Sequence, residues 1–119
     1  SSTVRQRSRA KELKRFCDQH LGDLFLTTGG TGFSMRDRTP EATLAVAHRQ
    51  APGISEAIRA YSLSITPRAM LSRGVSVIRE QTLIINLPGS PKAVRESLEY
   101  LLPALGHGLD ILTGNVTEG

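Results

Sequence analysis

Apolar and polar positions follow two different periods along this chain. A spacing of three and four residues predicts helices, at residues 8–19, 39–49 and 54–63, with a short helical turn after Pro67. β-Branched and other apolar runs without that spacing predict strands at residues 23–27, 75–79 and 82–86. Because only Glu80 and Gln81 separate the last two strands, we expect a β-hairpin there.

A longer helix is predicted to begin at Pro91, with Ser90 as its N-cap. We expect Pro103 to kink or interrupt this helix and Gly106 to end it. Its predicted core stripe is Val94, Leu98, Leu101, Leu102 and Leu105. Together with the hairpin and the earlier strand, these helices predict an open α/β sheet.

The loop after the first strand contains Gly29, Gly30 and Gly32. Glycines adopt positive φ and let backbone N–H groups approach a ligand closely. Thr39 as N-cap and Pro40 as the first helical residue would direct a positive helix end toward this loop, and such a place favours phosphate. The alternative is a tight structural turn.

Asp37 lies between this loop and the helix, with an arginine on each side. A carboxylate beside a phosphate site is most easily explained as a magnesium ligand or a general base. The alternative is a helix-entry aspartate that only stabilises the N-terminal turn.

The last strand runs into Pro88, Gly89, Ser90 and Pro91, which repeats the order of strand, glycine loop and Pro-started helix. In an open α/β sheet, ligands bind beyond the carboxyl ends of the strands. We therefore expect one crevice to face both loops. Neither loop has the spacing of a P-loop or of the dinucleotide fingerprint.

Three segments resemble the molybdopterin adenylyltransferase family, which includes bacterial molybdenum-cofactor proteins and the N-terminal domain of gephyrin. They read LFLTTGGTGFSMRDRTPEAT at residues 24–43, TPRAMLSR at residues 66–73 and TLIINLPGSPKA at residues 82–93. The resemblance runs from about residue 11 to residue 112. Met35 and Arg38 depart from the family's usual proline and small aliphatic residue.

The resemblance implies a three-layer α/β fold, an open and mostly parallel sheet with helices on both faces and a β-hairpin. Residues 1–119 would form a single molybdopterin-binding-type domain. The strand, helix and strand with which family members begin are absent from this chain. We therefore expect a fragment, a processed product or an incomplete molecule.

The resemblance also implies a nucleotidyltransferase activity: Mg²⁺-dependent transfer of the adenylyl group of ATP to molybdopterin, with release of pyrophosphate. Asp37 matches the acidic residue implied in catalysis and in magnesium binding. The residues implied in molybdopterin or nucleotide binding are Thr28, Gly29, Gly30, Thr31, Gly32, Ser72, Arg73, Pro88, Gly89 and Ser90.

Several of these residues have structural alternatives. Thr28 could simply be a good strand residue, Ser90 a helix cap, and Arg73 a solvated side chain. Lys92 could likewise bind phosphate or be a solvated side chain. Family catalysis also depends on acidic residues of the absent upstream part, so the truncated chain could be inactive.

The implied partners are a homotrimer and a molybdenum-insertion protein of the same pathway. The alternative function is a non-catalytic molybdopterin-binding or trimeric scaffolding module of the same fold.

Composition argues against several other classes of protein. The 119 residues contain no apolar run of the roughly 20 residues that span a bilayer and no signal-peptide pattern, so we expect a cytoplasmic protein without a membrane partner. Cys17 is the only cysteine, which excludes an internal disulfide. His20, His48 and His107 are too widely separated to predict a metal site.

The net charge of +4 permits a nucleic-acid partner, and residues 5–15 are the densest basic run. Because the two tyrosines and three phenylalanines are not interleaved with the basic residues, we expect a solvated helix face rather than a nucleic-acid arm.

Overall fold

The structure is a computed structural model that describes residues 24–112 and residue 114. The predicted helix at residues 8–19, the basic run, Cys17 and His20 lie outside these residues. The elements, in order, are β1 (Leu24–Thr28), α1 (Thr39–Val46), β2 (Arg49–Gln50), α2 (Pro52–Leu63), a 3-10 helix (Pro67–Leu71), β3 (Ser76–Arg79), β4 (Thr82–Leu87) and α3 (Pro91–Leu112).

The described strands form one sheet in the order β1-β4-β3-β2. β1 and β4 are parallel, whereas β3 is antiparallel to both β4 and β2. The α/β class and the hairpin are confirmed: Arg79 pairs with Thr82, and Glu80 turns the chain with a φ of 53°. Across these four strands the sheet is mixed rather than mostly parallel, because the hairpin reverses the chain direction.

Helices cover both faces of the sheet, as predicted. Alternate residues of β4 project to opposite faces, so that Leu83, Ile85 and Leu87 join one core cluster and Ile84 joins the other. The first cluster is completed by Ile58 of α2 and by Leu101 and Leu105 of α3. The second contains Val46 of α1 and Val77 of β3. β4 is therefore the buried centre of a three-layer arrangement.

Helix α1 ends at Val46, earlier than the predicted residue 49. The chain instead forms β2, where the His48 N–H donates to the Ile78 carbonyl at 2.9 Å and the Ala51 N–H to the Ser76 carbonyl at 2.9 Å. Pro52 was predicted to lie near the end of the helix, and it is instead the first residue of α2. Pairing with β3 makes residues 49–50 a strand rather than the end of a helix. A strand of two residues is too short to show a periodic pattern in the sequence.

Helix α3 runs without a break from Pro91 to Leu112, so the predicted interruption at Pro103 and the predicted end at Gly106 are wrong. Leu102, placed in the core stripe by the sequence, is 58% exposed. The apolar residues that pack on the core instead continue to the helix end as Leu98, Leu101, Leu105, Leu109 and Leu112. Packing along this face stabilises the helix across the proline. Within the part of the chain that the structure describes, no helix is long and apolar enough to cross a bilayer.

Candidate active site

A cleft of about 440 Å³ lies where the glycine loop (residues 29–38) meets the second loop (residues 88–90), and we call it the main cleft. Thr31 and Gly32 line it from the glycine loop, and Ser72 lines it near the 3-10 helix. All three residues of the second loop, Pro88, Gly89 and Ser90, also line it.

The two loops meet because their strands are parallel neighbours. Thr28 and Leu87 are register partners at the ends of β1 and β4. The Gly29 N–H donates to the Leu87 carbonyl at 3.2 Å. A Cβ on Gly89 would lie 3.6 Å from the Gly29 Cα, so only backbone atoms separate the loops here. The structure thus places both loops at one cleft, as expected for the carboxyl ends of parallel strands.

Gly29 and Gly30 both have positive φ, of 78° and 70°. A Cβ on Gly30 would lie 2.2 Å from the Thr39 Oγ1, and the Thr39 N–H donates to the Gly30 carbonyl at 3.1 Å. The loop is therefore folded tightly onto the first turn of α1, and Gly30 is a glycine because no side chain fits there.

This closure corrects the predicted role of the α1 end. Arg38, not Thr39, is the N-cap residue, its side chain makes no cap hydrogen bond, and Thr39 is buried at 1% exposure. Neither Thr39 nor Pro40 is among the residues that line the main cleft. The first N–H of α1 thus meets a carbonyl of its own loop rather than the cleft.

The helix end at the main cleft belongs to α3. The Ser90 Oγ accepts a hydrogen bond from the Ala93 N–H at 3.0 Å, and the Ser90 carbonyl accepts one from the Val94 N–H at 2.9 Å. Ser90 is therefore a helix cap, as one alternative proposed, and it also lines the cleft. Lys92, in the first turn, is an exposed lining residue.

Asp37 lies outside the main cleft. Its Oδ2 accepts a hydrogen bond from the Ser34 N–H at 3.0 Å. A Cβ on Gly32 would lie 2.8 Å from the same oxygen, so the carboxylate is directly behind a residue of the cleft wall. Asp37 lines a second cavity of about 370 Å³, the Asp37 pocket, together with Phe33, Ser34, Met35, Arg38, Glu41 and Arg73.

Metal-ligating side chains are sparse around Asp37. Over residues 24–112 and 114, no group of three or more His, Cys, Asp or Glu side chains is arranged to hold a metal ion. A single carboxylate still suits Mg²⁺, which keeps several waters and binds through substrate phosphates. The predicted metal and catalytic role of Asp37 stays a prediction.

Thr28 also falls outside the main cleft. It is exposed at the end of β1 and lines a third cavity of about 490 Å³ along α3. Gly89 lines both this cavity and the main cleft. The structure therefore brings together Thr31, Gly32, Ser72 and the second loop. The other predicted site residues do not line the main cleft, and they are Thr28, Gly29, Gly30, Asp37 and Arg73.

Arg73 contacts the glycine loop. Its Nε donates to the Gly32 carbonyl at 2.8 Å, and one Nη donates to the Asp37 carbonyl. The other Nη donates to the Glu41 carboxylate at 2.6 Å. This ion pair holds the pKa of Glu41 below its ordinary value, since Arg73 stabilises the charged carboxylate. Arg73 is a half-buried residue of the Asp37 pocket rather than a solvated side chain.

The residues of α2 that line the main cleft, among them Arg59 and Tyr61, were not predicted from the sequence. The Arg59 Nε donates to the Ser72 carbonyl at 3.1 Å, and its Nη2 donates to the Gly74 carbonyl at 2.9 Å. The ring of Tyr61 stacks on Tyr100 at a centroid distance of 4.9 Å. Arg59 directly follows the core residue Ile58, and this position at the edge of the apolar stripe was the only signal in the sequence.

Asn86 was not predicted either, although it is buried at 3% exposure and borders the main cleft. Its Nδ2 donates to the Thr27 Oγ1 and to the Thr43 Oγ1, both at 2.9 Å. Its Oδ1 accepts from the Val75 N–H at 3.1 Å. One side chain therefore connects β1, α1 and the chain entering β3. The signal for this role in the sequence was a polar residue, Asn86, directly after the apolar residues 83–85 of β4.

Residues 6–107 match the family described as the probable molybdopterin binding domain. The chain belongs to this family. It is 49% identical over 108 residues to a molybdopterin adenylyltransferase of Helicobacter pylori, covering 91% of this chain and 61% of that protein. It is 57% identical over 90 residues to a molybdopterin adenylyltransferase of Escherichia coli, covering 76% of this chain and 46% of that protein.

The fold has solved counterparts. The molybdopterin biosynthesis enzyme MoaB from Thermus thermophilus superposes with a TM-score of 0.83 at 51% identity, covering 92% of this chain and 69% of that one. The family resemblance seen in the sequence is thus confirmed. This chain spans 61% or less of the length of the two adenylyltransferases.

Proposed function

We propose that the protein acts in molybdenum-cofactor biosynthesis as a molybdopterin adenylyltransferase. In this reaction a phosphate oxygen of molybdopterin attacks the α-phosphorus of ATP, the bond to the bridging oxygen breaks, and pyrophosphate leaves. The observation that carries the proposal is the meeting of both loops at one cleft, in a chain with relatives named for this reaction.

The charge and lining of the main cleft suit an anionic substrate with a planar ring. Among the described residues that line it, the cationic side chains are Arg59, Arg68 and Lys92, and Glu96 is the one acidic side chain. Apolar and aromatic side chains supply a wall for a ring system, and they include Ile58, Tyr61, Ile65, Ala69 and Leu71. The capped start of α3 adds a positive helix end at the second loop.

Positioning and charge neutralisation are the main contributions that a protein makes to such a transfer. Thr31 and Gly32 on one side and Gly89 and Ser90 on the other would hold the reacting phosphates between the loops. Asp37 is the residue that would hold magnesium, with substrate phosphates and water, and the ion neutralises phosphate charge when it is bound. Its carboxylate lies directly behind Gly32 of the cleft wall and lines the Asp37 pocket.

The test is formation of adenylyl-molybdopterin from ATP and molybdopterin, with and without Mg²⁺. Asp37→Asn keeps an acceptor for the Ser34 N–H and removes only the charge, so a loop-shaping role would survive it. We expect the product rate to fall at least about 100-fold. Glu56→Gln, an exposed residue of α2, removes the same charge elsewhere and should leave the rate unchanged. Equal rates for Asp37→Asn and the parent chain would overturn the role of Asp37, and absence of product from the parent would overturn catalysis by this 119-residue chain.

The second candidate is a non-catalytic molybdopterin-binding or trimeric scaffolding module. The position of Asp37 outside the main cleft favours it. Calorimetry and sedimentation separate the two proposals: the module would bind molybdopterin or form an intact trimer without adenylyl transfer. A homotrimer, a molybdenum-insertion partner and a cytoplasmic location belong to either proposal. Steeply salt-dependent DNA or RNA binding would instead indicate the basic run at residues 5–15.

A further inference from the structure

Arg73 connects the glycine loop to the first turn of α1 through both its backbone and its side chain. Its backbone N–H donates to the Thr31 carbonyl at 2.8 Å. Its guanidinium donates to the Gly32 carbonyl at 2.8 Å, to the Asp37 carbonyl and to the Glu41 carboxylate. The wall of the main cleft, the Asp37 segment and the first turn of α1 thus share one anchor.

The anchor is itself supported from α2. Arg59 donates to the carbonyls of Ser72 and Gly74, the residues on either side of Arg73. The segment that carries Arg73 is therefore attached to a helix that packs on the core through Ile58. A side chain on such a segment holds a fixed position relative to the sheet.

The hydrogen bonds that Arg73 donates to the Thr31 and Gly32 carbonyls determine the orientation of the peptide groups at the cleft wall. In a trans peptide the C=O and the following N–H point in opposite directions, and the described chain has no cis peptide bond. Fixing the carbonyls of Thr31 and Gly32 on Arg73 therefore also fixes the N–H groups of Gly32 and Phe33. These are donors of the loop proposed to hold substrate phosphate.

We infer that Arg73 is a positioning residue that holds the glycine loop in its substrate-binding shape, with Glu41 as its counter-ion and Arg59 as its support. The inference rests on the proposed function for its consequence in catalysis. The arrangement needs arginine, since a planar fork can donate to two carbonyls and a carboxylate at once, whereas a lysine ammonium is a compact point charge.

The exposure of the pair shows why the network matters more than the ion pair alone. The side chains of Arg73 and Glu41 are 33% and 36% exposed, and an isolated pair at the surface contributes little to stability. The same guanidinium also donates to the backbone carbonyls of Gly32 and Asp37. Loss of Arg73 would therefore disrupt the local structure of the glycine loop. Overall stability should change far less.

The test is amide hydrogen exchange of the full chain without substrate, in Arg73→Lys and in Arg49→Lys as a matched control on exposed β2. The reporting amides are those of Asp37 and Thr39, which donate to the Ser34 and Gly30 carbonyls. The amide of fully buried Ile84 reports global unfolding. We expect Arg73→Lys to accelerate exchange of the two loop amides at least about tenfold with no change at Ile84, and Arg49→Lys to change none of them.

Titration with molybdopterin gives the functional readout. Arg73→Lys should raise the Kd at least about tenfold, and Glu41→Gln, which keeps one acceptor oxygen without the charge, should raise both loop exchange and Kd by less. Unchanged loop exchange in Arg73→Lys, or equal acceleration at Ile84, would overturn the inference. Failure of the parent chain to adenylylate molybdopterin would reject the proposed activity, whereas the exchange rates would still decide the role of Arg73 in holding the loop.

Discussion

At the scale of single residues, buried polar groups give the site its shape. Asn86 makes three side-chain hydrogen bonds to three different parts of the chain. Gly30 and Thr39 lie so close together that a Cβ on Gly30 would overlap the Thr39 hydroxyl oxygen. The lining side chains of the main cleft are therefore positioned by residues whose own role is structural.

Replacement of Asn86 should be among the most destabilising polar substitutions in the described chain. Asn86→Ala removes the partners of the Val75 N–H and of two threonine hydroxyls in a buried setting, and we expect a loss of about 2–4 kcal/mol in the free energy of unfolding. Urea denaturation measures this. A loss below about 0.5 kcal/mol would show that the three bonds do not hold the layers together.

Two glycines of the loop allow a matched comparison. Gly29→Ala meets nothing within 4 Å but retains a positive φ, so it should lower the free energy of unfolding by about 1 kcal/mol. Gly30→Ala adds overlap with Thr39 and should lower it by about 2–4 kcal/mol. The difference in urea midpoint between the two variants isolates the destabilisation that comes from steric overlap with Thr39. Equal midpoints would contradict the tight closure of the loop.

The ion pair of Glu41 and Arg73 makes the loop sensitive to acid. Because the pKa of Glu41 is lowered in the folded protein, its contribution is complete above the ordinary carboxyl pKa and is lost as the pH falls through the folded value. Exchange at the Asp37 and Thr39 amides, corrected for intrinsic rates, should accelerate in that acidic range. Glu41→Gln should remove this dependence, and an unaltered pH profile in that variant would contradict the assignment.

Residue chemistry in the sequence predicted part of this site. Proline and glycine positions identified both loops and the Ser90 cap, because backbone conformation depends on those residue types. The role of Arg73 and the closure of Gly30 onto Thr39 depend on contacts between distant segments. Such contacts leave no local signal, and this is also why Asp37 was expected beside the phosphate site rather than behind Gly32.

At the scale of elements, packing outweighed local signals. Pro103 and Gly106 both predicted an end to α3, yet the apolar stripe of that helix continues on the core to Leu112. β2 was missed because two exposed residues carry no alternation. The hairpin, α2, the 3-10 helix and β1 were found because each has an uninterrupted pattern of its own.

The two leucines Leu105 and Leu102 of α3 test which face is buried. Leu105→Ala should lower the free energy of unfolding by about 2–5 kcal/mol, since Leu105 is 5% exposed in the core. Leu102→Ala, at 58% exposure, should change it by less than about 0.5 kcal/mol. Thermal or urea unfolding compares them directly, and similar losses would mean that α3 does not bury Leu105 in preference to Leu102.

At the scale of the whole molecule, the parallel pairing of β1 and β4 is what makes one site from two loops. Order along the chain was enough to predict this convergence, because parallel neighbours end at the same edge. The family to which the chain belongs was also evident from the loop motifs.

The most direct measurement of that convergence is a titration of the isotopically labelled chain with molybdopterin, followed by the backbone amide resonances of Gly32 and Gly89. If both loops hold one ligand in the main cleft, both resonances shift and saturate at the same concentration. Saturation at different concentrations, or a shift of one glycine alone, would contradict a shared site.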